Sequence, residues 1–388
     1  MVDRSEFRDV YHYRLAVVSE VLAAPLRLAA RLASRSGTQP PASWRSGIIL
    51  GQGHIGDVLY RTCSLAALHA GLPACRWSYL APPGAAAVLA GNPALVEVLP
   101  WSSDAAPLAI TAERRDALKT RQFDVALCSD NIAHHHALLL ALKLRIPNRV
   151  ALARKGISGL ATLDVDTGGP VSHPAAFRQI VDAVTGEHDA SELRPRIYPS
   201  YADVQAAALE WSRLGLDSST VVIASAVTTR QTIGDFPPEF FQAVLRRVLT
   251  LAPDVRVLLS GSVDDKPVLQ AIAANLGDRS VVSAGELSLL AYGAMLRRCS
   301  AFVGADSGPR HLANSAGIPV FFVRNMGANE IGSGAYCPSE TDLAPAGQYF
   351  SPEQMRAALE TIDRDAAATA IVSAARRRAR DSIADTPR

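Results

Sequence analysis

The feature that most constrains this chain is a repeated switch between two hydrophobic periods. Short apolar runs stopped by glycine or proline alternate with stretches in which apolar residues recur every three or four positions. In the first half the short runs are Gly47-Ile48-Ile49-Leu50, Trp77-Ser78-Tyr79-Leu80, Val96-Glu97-Val98-Leu99 and Asp124-Val125-Ala126-Leu127. Helical patterns lie between them, one opening at Asp57 with Val58, Leu59, Leu65 and Leu68, another from Ala137 to Leu144. The second half repeats the plan with Val221 to Ala224, Val255 to Leu259, Val281-Val282, Ala301 to Val303 and Val320 to Val323. Helices open near Pro237-Pro238 and run around Leu289 to Leu296. Such alternation predicts two consecutive α/β domains, each a mostly parallel sheet with helices on both faces, set across a cleft. Ligands of these sheets bind beyond the carboxyl ends of the strands, so the loops after the strands are the place to look for chemistry.

The 388 residues suffice for two ordinary domains. Pro195 and Pro199 mark residues 195–205 as the boundary between patterned regions. The expected division is an amphipathic extension and linker over 1–45, a first domain over 46–200, a second over 201–350 and a helical tail over 351–388. Lys plus Arg number 39 against 37 Asp plus Glu, a balance that argues against a dedicated nucleic-acid binder. No apolar run approaches the ~20 residues needed to span a bilayer. The five cysteines, Cys63, Cys75, Cys128, Cys299 and Cys337, are scattered and without CxxC spacing. That argues against a disulfide framework or structural zinc and fits a reducing cytoplasm.

Residues 1–45 lack the pattern of a signal peptide. Tyr11, Leu15, Val18 and Leu22 recur at helical spacing, followed by Arg27, Arg31 and Arg35. A basic amphipathic helix of this kind either packs on the protein's own surface or a second subunit, or lies on an anionic membrane. Arg114, Arg115, Lys119 and Arg121, and the run Arg376-Arg377-Arg378, read first as solvated helix faces.

Three loops carry the chemical signal. Gly51-Gln52-Gly53-His54-Ile55-Gly56 follows the first strand and has the G-x-G-x-x-G spacing of a dinucleotide site. Its second requirement, an acidic residue ending the second strand, falls at Ala81-Pro82, so that fingerprint is half present. Asp57 stands where a pyrophosphate would sit; it reads either as a carboxylate that accepts a proton or as a helix-capping group. The second loop is Gly304-Ala305-Asp306-Ser307-Gly308-Pro309-Arg310-His311-Leu312-Ala313. Ser307 and Gly308 offer backbone N–H groups at a helix start, and Pro309 suits the first turn, which makes an anion cradle for a diphosphate. Asp306 and His311 flank it and could touch sugar hydroxyls; the other reading is a capped helix with a buried histidine. In the third loop, Thr228, Thr229 and Arg230 supply two hydroxyls and a guanidinium suited to phosphate oxygens. His134-His135-His136 is not read as a metal site, because consecutive helical side chains splay around the axis.

These residues carry a resemblance. Asp306 to Ala313 closely resembles the D-S-G-x-x-H-L-A signature of glycosyltransferase family 9, the bacterial ADP-heptose:lipopolysaccharide heptosyltransferases. Gly56-Asp57-Val58-Leu59 resembles that family's G-D-x-[LV] segment, and Asn92-Pro93 followed by Val96-Glu97-Val98 is similar to its first domain. The resemblance spans roughly residues 46–360. It implies a GT-B architecture of two Rossmann-like domains and an inverting, metal-independent transfer that needs no cofactor beyond the ADP-linked donor itself. By the same resemblance Asp57 is the general base, and Asp306 holds the donor sugar. The amides of Ser307 and Gly308 bind the diphosphate, with Pro309 and His311 also among the donor-binding residues; Thr228, Thr229 and Arg230 meet the phosphates from the other side; Asp265 contacts the ribose. His54, Asp130 and His134 would face the acceptor, a lipopolysaccharide core or another glycoconjugate or metabolite, with the enzyme cytoplasmic and in contact with the membrane only peripherally. The chain departs from the family in having Gln231 to Pro237 where a phosphate-binding lysine precedes an aromatic-Pro pair. It also has Ser129 to His136 where the family carries a basic acceptor segment. Those departures keep open a transferase for another nucleotide sugar and an inactive GT-B scaffold.

Overall fold

The protein is described by a computed structural model covering residues 39–51, 53–101, 111–128, 134–153, 159–188, 191–229 and 237–384, with isolated helical positions at 14, 17, 18, 21 and 25. Of residues 134–136 and 382–384 it describes the backbone alone. Most of the expected amphipathic extension therefore lies outside the described residues, as do Arg230 and Asp130. The chain forms two compact units, Met1–Leu193 and Arg194–Arg388.

The first unit is a six-stranded sheet in the order β3-β2-β1-β4-β5-β6. Its strands are β1 (Ser46–Leu50), β2 (Arg76–Ala81), β3 (Glu97–Pro100), β4 (Val125–Cys128), β5 (Asn148–Leu152) and β6 (Leu163–Val165). Every pairing is parallel. β1 and β4 are buried almost end to end, as expected for strands covered on both faces. One face packs Ile48, Leu50, Leu80, Ala126 and Cys128 against Leu118, Leu138 and Leu140 of the neighbouring helices. Because β1 pairs with β2 on one side and β4 on the other, the chain order reverses between β1 and β4. The loop after β1 and the helix Ile55–Arg61 leave the sheet at that switch.

The second unit is built on the same plan, in the order β12-β11-β10-β7-β8-β9. The strands are β7 (Val221–Ala226), β8 (Val255–Gly261), β9 (Ser280–Ala284), β10 (Ala301–Ala305), β11 (Val320–Val323) and β12 (Glu340–Asp342), again all parallel. Its core joins Ile223, Val257 and Val303 to Phe241, Val244 and Val248 of the helix Pro238–Leu251. Met355 and Leu359 of the helix Pro352–Glu360, and Ile371 of the helix Arg364–Ala384, enter the same core. Here the switch lies between β7 and β10, where Gly304 pairs with Ala226.

The strands read from the sequence are present within a residue or two. β5, β6 and β12 were not expected, nor were the helices His173–Thr185 and Tyr201–Arg213. β6 and β12 are three-residue edge strands whose short, polar sequences, Leu-Asp-Val and Glu-Thr-Asp, carry little hydrophobic signal. Of the segment 195–205, residues 201–205 already belong to a helix capped by Ser200, whose hydroxyl accepts from the Asp203 N–H (3.2 Å).

Gly304 illustrates how tightly the second switch is built. A Cβ there would collide with the carbonyl oxygen of Ala226 on the neighbouring strand. Gly304→Ala should therefore destabilise the protein by about 1–3 kcal/mol, the usual range for overpacking. Urea denaturation would measure it, and an unchanged midpoint would show that the strands part there without cost.

Candidate functional site

In the first unit the candidate residues cluster around one turn. Gly53 has φ +109°, a conformation that favours glycine, and a Cβ on it would lie 2.5 Å from the Asp57 carboxylate carbon. The turn thus brings the backbone against Asp57, which sits in the first turn of the helix Ile55–Arg61. The His54 N–H donates to Asp57 Oδ2 (2.6 Å), satisfying a donor at the helix entrance. The Tyr60 hydroxyl donates to Asp57 Oδ1 (3.3 Å), and Arg61 Nη2 donates in turn to the Tyr60 oxygen (3.2 Å). Arg61 is fully buried, Asp57 half-buried and His54 exposed. The carboxylate therefore performs the capping job that the sequence allows, with its orientation set by two donors. His134 opens the helix His134–Lys143 that follows β4. β2 ends at Ala81, so no carboxylate stands at the position a nicotinamide ribose would require.

The second unit gathers its candidates at the carboxyl edge of the sheet. Thr228 and Thr229 follow β7, both half-buried. Asp265 follows β8, and its Oδ2 accepts from the Ser262 N–H (2.7 Å) and hydroxyl (2.5 Å), closing the short turn Val263–Asp265. Beside it, Lys266 Nζ pairs with Glu286 (2.7 Å), an acidic residue after β9 that the sequence did not single out.

Asp306 follows β10, and Ser307 caps the helix Gly308–Ala316 with extended backbone (φ −151°, ψ 177°). The Ser307 hydroxyl makes no cap bond; it donates to the Ala305 carbonyl (3.3 Å). The entrance of this helix, with proline in its first turn, is thus not closed by a side-chain cap from Ser307. Asn325, after β11, donates from Nδ2 to the Asp306 carbonyl (2.5 Å) and ties the loop to the next strand.

Beneath the loop lies a charge network invisible in the signature. Arg310 is 1% exposed. Its Nη1 donates to Asp306 Oδ1 (2.8 Å) and the Ser333 carbonyl (2.9 Å), its Nη2 to the Gly334 carbonyl (2.6 Å), and its Nε to Glu340 Oε1 (2.6 Å). The guanidinium lies 3.4 Å from the centroid of the Phe322 ring, a cation–π contact. Burial disfavours the Arg310 charge, but the fields of Asp306 and Glu340 outweigh it and raise its pKa further. Burial likewise opposes ionisation of Glu340, yet the Arg310 charge and the hydrogen bonds from Arg310 and Asn314 hold its carboxyl below the ordinary value. His311 Nδ1 lies 2.6 Å from the Tyr336 hydroxyl, with the two rings stacked, and its Nε2 is 3.8 Å from Asp306 Oδ1. Sequence reasoning missed Glu340, Tyr336 and the role of Arg310, because nothing in the spacing joins β12 to the Asp306 loop. Among the described residues no group of three or more His, Cys, Asp or Glu could hold a metal ion, and no helix is long and apolar enough to cross a membrane.

A family model for glycosyltransferase family 9 (heptosyltransferase) matches residues 111–321, more than half of the chain. The chain belongs to glycosyltransferase family 9. The matched segment includes Thr228, Thr229 and the Asp306 to Ala313 loop, and it begins after Asp57. This family 9 chain is a glycosyltransferase with the GT-B fold of solved heptosyltransferases. It is similar to a family 9 glycosyltransferase from Veillonella parvula, at 17% identity and TM-score 0.68, covering 87% of this chain and 98% of that one. ADP-heptose LPS heptosyltransferase II of E. coli aligns at 16% identity and TM-score 0.65, over 86% of this chain and 99% of its own. E. coli heptosyltransferase WaaC, solved with ADP, aligns at 15% identity and TM-score 0.63, over 85% and 99%. Among curated proteins no relative matches the chain.

Removing Arg310 would leave two carboxylates without their buried cation. Arg310→Met should cost about 3–5 kcal/mol, the range for breaking a buried ion pair from one side. Thermal unfolding would measure it, and a loss below 1 kcal/mol, expected of an exposed pair, would deny the pair a structural role. The stabilisation from Glu340 is full above the ordinary carboxylate pKa and lost as pH falls through the lowered folded value. Wild type and Glu340→Gln should therefore converge in stability on acidification; a gap that widens in acid would contradict the assignment.

Proposed function

We propose that this family 9 glycosyltransferase transfers heptose from ADP-heptose to an acceptor hydroxyl, with inversion at the anomeric carbon and without a metal ion. The observation that carries the reading is the Asp306 loop. A helix entrance left open by its own cap stands at the switch of the second sheet, between a loop of hydroxyls and a buried-cation network. An ADP-linked donor is favoured because solved proteins of the same fold are described as an ADP-heptose heptosyltransferase and as WaaC with ADP.

In this reading the N–H groups of Ser307 and Gly308 hold the diphosphate, the helix macrodipole adding some tenths of a kcal/mol up to ~2. Thr228, Thr229 and Arg230 bind phosphate oxygens from the β7 side, Asp306 and His311 meet the sugar, and Asp265 meets the ribose. In the first unit Asp57 accepts the acceptor's proton, with His54, Asp130 and His134 facing that acceptor. The acceptor oxygen forms its bond to the anomeric carbon as the bond to the β-phosphate oxygen breaks. ADP leaves with that electron pair. Fixed donors around the diphosphate stabilise the developing charge, an electrostatic task worth about 3–4 kcal/mol per well-placed donor. A lipopolysaccharide core is the acceptor that the same likeness suggests, with the enzyme working on the cytoplasmic side. The missing lysine at 231–237 favours, as a second reading, a donor other than ADP-heptose.

Calorimetric titration with ADP, UDP and GDP separates the two readings: selective ADP binding supports heptose transfer, while preference for another nucleotide discards it. Asp57→Ala should keep ADP affinity and lower turnover by about a hundredfold, the scale of general-base help. Unchanged turnover would remove Asp57 from the mechanism. Arg230→Ala should weaken ADP binding about tenfold, the loss of one charge-assisted hydrogen bond; equal affinity would pass that role to another cation.

A further inference from the structure

We infer that Glu340 is a positioning residue for both sides of the Asp306 loop, holding Asp306 through Arg310 and fixing His311, through Asn314 and Tyr336, as the neutral tautomer with its hydrogen on Nε2. The functional meaning of this arrangement rests on the donor-site reading above. The order of its hydrogen bonds does not depend on that reading.

The chain of donors can be followed atom by atom. Glu340 Oε1 accepts from Arg310 Nε (2.6 Å) and Asn314 Nδ2 (2.7 Å), while Oε2 accepts from the N–H groups of Tyr336 (2.7 Å) and Cys337 (3.1 Å). An ionised carboxylate only accepts, so Asn314 must turn its NH2 toward Glu340. The opposite amide orientation would set a carbonyl oxygen against the carboxylate. The orientation has a cost: Asn314 Oδ1 is buried with no hydrogen-bond partner among the described residues.

The second Asn314 Nδ2 hydrogen goes to the Tyr336 oxygen (3.0 Å). A phenol that accepts there still has its own hydrogen to give, and His311 Nδ1 lies 2.6 Å away. The phenol keeps that hydrogen, since burial and the Glu340 charge raise its pKa well above the ordinary value. Nδ1 is therefore the acceptor, and the hydrogen of the neutral ring sits on Nε2, the nitrogen on the Asp306 side. Stacking of the two rings, with centroids 5.6 Å apart and planes 21° from parallel, holds the imidazole in that orientation. The result is a neutral N–H donor suited to a sugar hydroxyl or phosphate oxygen.

On the other branch, Glu340 restrains a guanidinium that also bonds two carbonyls and covers the Phe322 ring. Asp306 is held by a cation that has no freedom to follow it. One carboxylate on β12 thus sets the direction of an acceptor, Asp306, and of a donor, His311.

The test is a long-range 1H–15N correlation spectrum of the full chain labelled with 15N-histidine, recorded at neutral pH. The His311 signals are identified by their loss in His311→Gln. The expected pattern is a protonated Nε2 and an unprotonated Nδ1. Tyr336→Phe should mix the two tautomers of His311 while the other histidine signals stay in place, a change that loss of packing alone would not confine to one ring. A wild-type ring protonated on Nδ1, or on both nitrogens, overturns the inference, as does an unaltered pattern in Tyr336→Phe. In parallel, Glu340→Gln should weaken ADP binding about tenfold, the scale of losing hydrogen bonds to a charged group, and unchanged affinity overturns the positioning role. If wild type shows the expected tautomer yet binds no nucleoside diphosphate, the donor-site reading fails and the hydrogen-bond chain stands.

Discussion

Parallel strand pairing is the constraint from which the arrangement of the site follows. A chain that pairs its strands in parallel must return along a crossover to the starting edge before each new strand, so all strands of a sheet end at the same edge. In the second unit, β7, β8, β10 and β11 therefore deliver Thr228-Thr229, Ser262 to Asp265, Asp306 to Gly308 and Asn325 to one edge, although these segments are far apart in sequence. Where the order reverses, between β7 and β10, the loops leave neighbouring strands in opposite directions and open the crevice in which such sheets bind ligands. The first unit repeats this between β1 and β4, and there the Gly53 turn and Asp57 emerge.

Burial of Arg310 sets the geometry of the Asp306 loop more closely than the backbone signature does. Removing a guanidinium from water costs several kcal/mol even after relaxation, and the cost is offset only when its hydrogen bonds are nearly all made in good geometry. Two carboxylates, two carbonyls and the Phe322 ring meet that demand here. Such a pair adds little net stability over a well-packed apolar core, but a buried charge tolerates few alternative arrangements. Its consequence lies in orientation: the Asp306 carboxylate and the segment from Ser333 to Glu340 are registered to one another.

Asp57 and Asp265 both act as capping carboxylates in the structure. Each accepts from the N–H three residues earlier, the local bond expected of an acidic group in a first turn. Asp57 Oδ2 is occupied in this way, and Tyr60, backed by the buried Arg61, addresses Oδ1. The capping bond holds the side chain in one rotamer, a restraint that does not conflict with the general-base role proposed for Asp57.

Alternation of period, Gly-Pro punctuation and the Asp306 to Ala313 run were enough to place the strands β1 to β4 and β7 to β11, the α/β class and the three strand-end loops, because each depends on residues close together in the chain. The sequence also weighed against a nicotinamide site, since Ala81-Pro82 cannot supply the ribose-binding carboxylate. It was silent on β6 and β12, whose three residues at a sheet edge have too little apolar content to mark a strand. Only the tertiary structure decided that Glu340 would lie against Arg310 and Asn314, that Tyr336 would reach His311, and that the C-terminal helices would enter the second core. Short-range periodicity records which face of an element is apolar. Partner choice among buried polar groups depends on the desolvation cost of each group and on the one packing that satisfies it, and that packing exists only after the chain has folded.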